Sequence, residues 1–149
     1  MSDKPDVIVT EEDGVLILTL DRPEARNAAT LQASQIIANA LDLLDARDDL
    51  RVAILTGANN TFCAGMDLKK FLTGETPSIP GRGFLGMTIK PPQKPIIAAV
   101  EGYALAGGCE AMLACDMVVA AKGAKFGLPE VKRGLAAVGG GLMRLLRQI

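Results

Sequence analysis

Histidine is absent from this chain of 149 residues. Without it, no Ser-His-Asp or Cys-His nucleophile can be assembled, and the most common zinc ligand is missing. Cysteine is scarce, since only Cys63, Cys109 and Cys115 are present and none has CxxC spacing. Cys109, Cys115 and Asp116 could be combined as metal ligands, but apolar surroundings favour buried thiols. We therefore expect reduced cysteines, no disulfide framework and no metal site.

A large net charge is missing as well, because 16 Lys and Arg residues face 17 Asp and Glu residues. The formal net charge of -1 gives no electrostatic reason to expect nucleic acid or an anionic membrane as a partner. No apolar run reaches membrane-spanning length, and residues 1–6 lack the basic start and apolar core of a secretory signal. We expect a cytoplasmic protein with one globular domain.

Hydrophobic alternation and helix signals predict an α/β protein. Residues 7–10 and 15–20 alternate in period two around Asp13-Gly14, which predicts an antiparallel hairpin. Thr30 is expected to cap a helix that runs to about Ala46. The predicted buried face of this helix consists of Leu31, Ile36, Ala40, Leu43 and Leu44.

Later segments continue the alternation of strands and helices. Short buried strands are expected at residues 52–56, 96–100 and 117–121, and a helix is expected from Gly107 or Gly108 to about Cys115. Prolines and glycines concentrate in residues 73–95, which predicts a long irregular excursion of the kind that often covers a site.

Two glutamates end segments that are suited to hold a carboxylate beside a substrate. Glu110 ends residues 103–110, and Glu130 ends the sequence Phe-Gly-Leu-Pro-Glu. The first N–H groups of a helix that opens at Gly107 lack intrahelical partners, so they are available to an oxyanion. Residues 62–68 form a loop that could present further N–H groups. Together these features suggest acid/base chemistry on a carbonyl compound.

Each of these features also has a simpler explanation. Glu110 could be a first-turn glutamate that suits the helix dipole, and Glu130 could be a solvated turn residue. The glycine pairs could serve tight packing alone. A site is therefore indicated by the joint occurrence of the segments and not by any one of them.

Four ordered segments together resemble the crotonase (enoyl-CoA hydratase/isomerase) superfamily. They are residues 20–28, 62–68, 102–110 with Cys115-Asp116 following, and 126–130. The similarity runs from about Val7 to Ile149. It implies an α/β, crotonase-like (ClpP/crotonase) spiral of ββα units, with residues 1–149 forming an N-terminal core domain. Because relatives continue well beyond the position of Ile149, we expect this domain to be incomplete at its C-terminus and to lack the C-terminal helical region.

The resemblance also implies roles for individual residues. Glu110 and Glu130 would be the catalytic acid/base pair, and the backbone N–H groups of Met66 and Gly107 would form an oxyanion hole. Many members have a third glycine where this chain has Ala106. Substrate and CoA contacts would come from Ala25, Arg26, Ala28, Ala64, Gly65, Asp67, Leu68, Lys69 and Gly108. Coenzyme A is part of the substrate, so no separate cofactor is expected.

Members that hydrate use both glutamates, so the resemblance favours an enoyl-CoA hydratase, a lyase of fatty acid metabolism. It implies syn addition of water to a trans-2-enoyl-CoA, in which Glu110 helps activate the water and Glu130 delivers a proton to carbon 2. An isomerase or another acyl-CoA reaction of the family is the nearest alternative. A non-catalytic or RNA-binding relative is a further alternative, although the helix predicted from Thr30 to Ala46 has no lysine. At family length we expect a homotrimer or hexamer.

Overall fold

The computed structural model describes residues 4–149 and shows an α/β fold. Its strands are β1 (Val7–Glu12), β2 (Val15–Leu20), β3 (Val52–Gly57), β4 (Ser78–Ile79), β5 (Gly83–Phe84), β6 (Ile96–Val100), β7 (Tyr103–Leu105), β8 (Met117–Ala120) and β9 (Lys125–Gly127). Its α-helices are α1 (Leu31–Ala46), α2 (Leu68–Leu72), α3 (Gly107–Leu113) and α4 (Gly141–Gln148). Short 3-10 turns lie at Pro23–Ala25 and Glu130–Arg133.

The main sheet has the strand order β1-β2-β3-β6-β8. The predicted hairpin is confirmed: β1 and β2 are antiparallel, and β1 runs two residues further than expected, to Glu12. Asp13 and Gly14 at the turn have φ angles of 50° and 82°, as a two-residue hairpin turn of the primed type requires. The other neighbouring strands of this sheet are parallel, and a separate parallel pair joins β7 to β9.

Helix α1 begins where its sequence predicts, but the predicted buried face is partly wrong. The Thr30 hydroxyl oxygen accepts a hydrogen bond from the Ala33 N–H at 3.0 Å, so Thr30 is the cap. Leu31 and Leu43 are 38% and 40% exposed. The buried residues are Ala33, Ser34, Ile37, Ala38, Ala40, Leu41 and Leu44. Ser34 can be buried in this stripe because its hydroxyl donates to the buried Pro77 carbonyl at 2.7 Å. A polar residue at this position is the reason that the hydrophobic pattern did not predict the correct face.

The excursion over residues 73–95 is irregular apart from the antiparallel pair β4–β5, and it is fastened to α1. The Lys94 ammonium donates to the carbonyl oxygens of Leu44, Arg47 and Leu50 at 2.8, 2.5 and 2.7 Å. These carbonyls lie at and just beyond the C-terminal end of α1, where a cation also meets the negative end of the helix dipole. The Asp45 carboxylate of α1 accepts from the Lys94 N–H at 3.1 Å, so a second contact joins the excursion to this helix.

The remaining elements follow the predicted order with small shifts of their ends. Helix α3 ends at Leu113 rather than near Cys115, and β8 ends at Ala120. All three cysteines are buried free thiols, as predicted. No helix within residues 4–149 is both long enough and apolar enough to cross a membrane.

Replacing Lys94 by methionine should lower the free energy of unfolding by about 2 kcal/mol, because three carbonyl acceptors lose a charged donor. Chemical denaturation of the variant and the unmodified chain measures this difference. The exposed Lys122 offers a matched control, and Lys122→Met should change stability by less than about 0.5 kcal/mol. Equal effects of the two substitutions would contradict the role assigned to Lys94.

Candidate active site

The site is built where residues 63–66 dock along β7 and the start of α3. The Cys63 N–H donates to the Tyr103 carbonyl at 2.9 Å, and the Leu105 N–H donates to the Cys63 carbonyl at 3.0 Å. A β-carbon added to Gly108 would lie 2.3 Å from the Cys63 carbonyl oxygen, so only glycine permits this approach. A β-carbon added to Gly65 would lie 3.4 Å from the Gly107 nitrogen, which shows that the two segments meet there.

Peptide geometry directs the Met66 N–H away from the early turn, the segment of residues 22–29 between β2 and α1. The Gly65 carbonyl accepts from the Ala29 N–H at 2.7 Å. In a trans peptide the C=O and the following N–H point in opposite directions, so the Met66 N–H faces the other side of its segment.

The same rule orients the Gly107 N–H. The Ala106 carbonyl accepts from the Glu110 N–H at 3.0 Å and therefore points along α3. Its partner in the peptide, the Gly107 N–H, points out of the N-terminal end of the helix. Within residues 4–149, neither this N–H nor that of Met66 donates to another protein group.

A cavity of about 860 Å³ opens at these groups. Met66, Gly107, Glu110 and Glu130 all line it, so the structure brings the predicted catalytic and oxyanion positions together. Further walls come from the excursion over residues 73–95. They include Pro77, Ile79, Phe84, Thr88 and Ile89.

The Glu110 carboxyl is enclosed and is held by a glycine segment near the C-terminus. Its residue is 4% exposed, and its Oε1 accepts from the Gly141 N–H at 2.9 Å. A β-carbon at Gly139 would approach Oε2 to 2.7 Å. Burial raises the pKa of Glu110 above its ordinary value; the Glu130 charge adds to this shift, while the Gly141 hydrogen bond and the Arg144 charge oppose it.

Glu130 differs from Glu110 in having no protein partner. It begins the 3-10 turn after Pro129 and is 9% exposed, so the solvated-turn explanation is wrong. Neither carboxylate oxygen receives a hydrogen bond from any group in the described part of the chain. Burying an unsatisfied carboxylate is costly, and groups of this kind concentrate at functional sites.

The predicted CoA-contacting residues divide into two groups. Ala64 and Leu68 line the cavity, whereas Gly65 and Gly108 form the packed junction behind it. The remaining predicted contacts do not line the cavity. Ala25, Arg26 and Ala28 belong to the early turn, Asp67 caps α2, and Lys69 is exposed on α2.

Hydrogen bonds attach the early turn to the cavity segment, which comprises residues 63–68. The Ala64 N–H donates to the Arg26 carbonyl at 3.1 Å, and Arg22 Nη1 lies 2.9 Å from Asp67 Oδ2. Because Asp67 also accepts from the Lys69 N–H, its side chain is occupied by structural contacts. Its carboxylate is therefore better explained as a positioning group than as a direct ligand of CoA.

Sequence reasoning missed two sets of supporting residues. Asn27 is 1% exposed, accepts from the Arg22 N–H at 2.9 Å and donates to the Ala58 and Thr61 carbonyls at 2.9 and 2.5 Å. Its only sequence signal is an asparagine in a predicted turn. The second set is the segment 139–141, whose three consecutive glycines were visible but had no assigned role.

Comparison with known proteins decides the family. The family model for enoyl-CoA hydratase/isomerase matches residues 10–149. This chain belongs to the enoyl-CoA hydratase/isomerase family. The enoyl-CoA hydratase EchA1 structure from Mycobacterium marinum shares 56% sequence identity and a TM-score of 0.95, covering 98% of this chain and 57% of that one. The predicted crotonase-like fold is therefore confirmed.

Curated relatives of this family member agree. It is 47% identical to the mevalonyl-coenzyme A hydratase sidH of Aspergillus fumigatus, over 89% of this chain and 51% of the relative. It is 42% identical to the enoyl-CoA hydratase EchA19 of Mycobacterium tuberculosis, over 97% of this chain and 57% of the relative. The chain thus spans about half the length of the curated relatives it matches.

Replacing Ala106 by glycine should stabilise this enoyl-CoA hydratase/isomerase family member by about 1 kcal/mol. Ala106 precedes α3 with φ 50° and ψ -126°, a conformation that favours glycine. Relief of about 1–3 kcal/mol of strain outweighs the greater unfolded-state freedom of glycine, about 0.4–1 kcal/mol. Denaturant unfolding measures the change. Ala40→Gly, within α1, is the control and should destabilise; a similar loss in Ala106→Gly would disprove the strain.

The burial of Glu110 predicts a pH-dependent effect of Glu110→Gln on stability. With its folded pKa above the ordinary 4.5, Glu110 contributes stability below that pH, and the contribution is lost as pH rises through the folded pKa. Glutamine avoids this loss and keeps the acceptor for Gly141. The stability of Glu110→Gln relative to the unmodified chain should therefore rise between about pH 4 and pH 8.

Unfolding free energies measured across this pH range provide the test. Glu101→Gln, at an exposed glutamate, is the matched control, and its stability difference should vary much less with pH. A difference for Glu110→Gln that stays constant or falls with pH would contradict the assigned direction.

Proposed function

We propose that this protein is an enoyl-CoA hydratase, which adds water to the double bond of a trans-2-enoyl-CoA. The observation that carries the proposal is the placement of Glu110 and Glu130, both buried, on one cavity with the Met66 and Gly107 backbone. Hydration needs a group that takes a proton from water and a group that gives one to carbon. It also needs donors for the negative oxygen that forms between these steps.

In the proposed reaction, the thioester oxygen accepts hydrogen bonds from the Met66 and Gly107 N–H groups. Ionised Glu110 removes a proton from water as the water oxygen bonds to carbon 3, and the double-bond electrons move onto the thioester oxygen. The enolate then collapses as protonated Glu130 gives its proton to carbon 2. One water molecule is added in total. The reaction leaves Glu110 protonated and Glu130 ionised, and a proton then returns from Glu110 to Glu130 directly or through solvent.

The two carboxyl groups interact electrostatically. The charge of Glu130 contributes to the raised pKa of Glu110, so the two carboxylates repel each other. The Gly141 N–H remains bound to one oxygen of Glu110, which leaves the second oxygen for water. The raised pKa makes ionised Glu110 a stronger base than an ordinary glutamate.

The early turn and α2 are the proposed CoA contacts. Arg26 and Lys69 are exposed near the cavity segment and supply positive charge for the phosphates of CoA. Coenzyme A enters as part of the substrate, and no separate cofactor is required by this chemistry.

The proposed assembly is a homotrimer or hexamer at family length, in the cytoplasm. Exposed apolar side chains on one edge strand and the last helix support an assembly, because such groups mark protein interfaces. They include Met117 and Val119 of β8 and Leu142, Met143 and Leu146 of α4.

Glu110→Gln and Glu130→Gln should each reduce kcat for crotonyl-CoA hydration by about 10²-fold or more, because each removes an acid/base group. Steady-state hydration is followed by loss of the enoyl thioester absorbance. Binding of the saturated butyryl-CoA should change little, since neither variant removes an N–H donor. Glu101→Gln is the control with unchanged kcat.

Assaying a 3-enoyl-CoA as substrate distinguishes isomerisation from hydration. A Glu130→Gln variant that retains full hydration would sink the proposal. Unmodified protein that isomerises but does not hydrate would favour the isomerase in its place.

A further inference from the structure

One residue of the early turn holds the backbone on both sides of Met66. The Gly65 carbonyl accepts from the Ala29 N–H at 2.7 Å, and the Asp67 N–H donates to the Ala29 carbonyl at 3.0 Å. Ala29 is completely buried, with 0% of its surface exposed. Since the peptide groups before and after Met66 are both bound to Ala29, the direction of the Met66 N–H depends on how the early turn is held against this segment.

Arg22 joins the same two segments one residue further along each. Its Nη1 donates to the Ala28 carbonyl at 2.8 Å and to Asp67 Oδ2 at 2.9 Å. A single nitrogen therefore holds the neighbour of Ala29 and the neighbour of Met66 together. Because the guanidinium group is planar and rigid, it fixes the distance between these two acceptors.

The pair of Arg22 and Asp67 is enclosed and has several further contacts. The two side chains are only 16% and 11% exposed. Arg22 Nε lies 3.4 Å from Asp6 Oδ1, and Asp67 Oδ1 accepts from the N–H groups of Lys69 and Lys70 at 3.0 and 3.2 Å. Burial opposes ionisation of Asp67, but hydrogen bonds from Arg22 and the Lys70 N–H outweigh it and lower the pKa of this carboxyl. The pair is therefore ionised and held in one geometry.

Neither member of the pair reaches the cavity. Met66 lines it, whereas Arg22 and Asp67 do not. Any effect of the pair on a bound thioester must therefore pass through the backbone of Met66. Such an effect is expected to be large, because a donor stabilises an oxyanion only at about 2.7–3.1 Å and a displacement of about 1 Å can slow a reaction 10²-fold.

We propose that the ion pair of Arg22 and Asp67 positions the Met66 N–H for the thioester oxygen, which makes Arg22 a positioning residue for the reaction although it does not touch the substrate. This inference rests on the proposed function, because it assumes that the Met66 N–H is an oxyanion donor. Without the pair, Ala28 and Asp67 can separate, and the Met66 N–H moves with its neighbour. The Gly107 N–H belongs to α3 and keeps its place.

Three variants separate the ion pair from other roles of these side chains. Arg22→Gln removes the positive charge and the fork of donors. Asp67→Asn removes the negative charge but keeps the cap of α2, because asparagine caps a helix about as well as aspartate. Arg22→Lys keeps a charge that can reach one of the two acceptors, so its effects should be smaller than those of Arg22→Gln.

The test is infrared difference spectroscopy of bound butyryl-CoA that carries ¹³C at the thioester carbon. Hydrogen bonds to the thioester oxygen lower its carbonyl stretching frequency, and this saturated thioester is not turned over. Spectra are recorded at saturating thioester, so a change in affinity does not affect them. The frequency decrease that the unmodified protein causes should be clearly smaller in Arg22→Gln and Asp67→Asn, and partly restored in Arg22→Lys. In the same two variants, kcat for crotonyl-CoA hydration should fall at least about tenfold.

A second arginine pair provides the matched control. Arg47, just after α1, is partly exposed, and its Nη1 and Nη2 lie 2.7 and 2.5 Å from carboxylate oxygens of Glu11 and Asp49. It does not line the cavity. Arg47→Gln should therefore leave both the frequency decrease and kcat unchanged.

Denaturant unfolding of each variant distinguishes positioning from support of the fold alone. Folded Arg22→Gln and Asp67→Asn proteins that lose stability but keep the full frequency decrease would overturn this inference and leave the proposed function intact. If Arg22→Gln does not fold, Asp67→Asn and Arg22→Lys decide by the same criterion. Butyryl-CoA that does not bind to the unmodified protein, or binds without a frequency decrease, would overturn the proposed function and this inference with it.

Discussion

The contact between residues 63–66 and residues 105–108 is the constraint on which the site depends. Cys63 pairs with β7 through two backbone hydrogen bonds, and Gly108 packs on the Cys63 carbonyl with no room for a side chain. This close approach fixes where α3 starts, and therefore where the Gly107 N–H and the first-turn Glu110 point. The parallel pairing of β7 with β9 then carries the chain to Glu130 on the same cavity.

Burial of the two carboxyl groups costs stability. Glu110 retains one backbone donor, from Gly141, whereas Glu130 has none among the described residues. A protein tolerates such groups where surrounding structure holds them in place. Here the support comes from the mixed main sheet with α1 and from the excursion that Lys94 attaches to that helix. The buried carboxyl groups thus lie on the cavity wall, and the residues that support them lie in the core.

Local signals predicted much of the fold, because their physical causes are local. Asp13-Gly14 specifies a hairpin turn, and Thr30 bonds within its own helix. The prediction failed where partners are distant in sequence. Ser34 lies on the buried face of α1 because its hydroxyl donates to the Pro77 carbonyl, and the hydrophobic pattern of the helix alone did not predict this face. Glu130 was recognised as a candidate, yet its burial depends on cavity walls from other segments. Asn27 and Arg144 likewise have hydrogen-bond partners in other segments. The roles of Met66 and Gly107 stay predictions, although their orientation agrees with them.

The most direct measurement is a crystal structure of this protein bound to acetoacetyl-CoA, whose thioester can occupy the site without being hydrated. The thioester oxygen should lie about 2.7–3.1 Å from both the Met66 and Gly107 nitrogens. The Glu110 and Glu130 carboxyl groups should flank the carbons next to the thioester. A thioester bound outside the cavity, or one whose oxygen reaches neither N–H, would contradict the account.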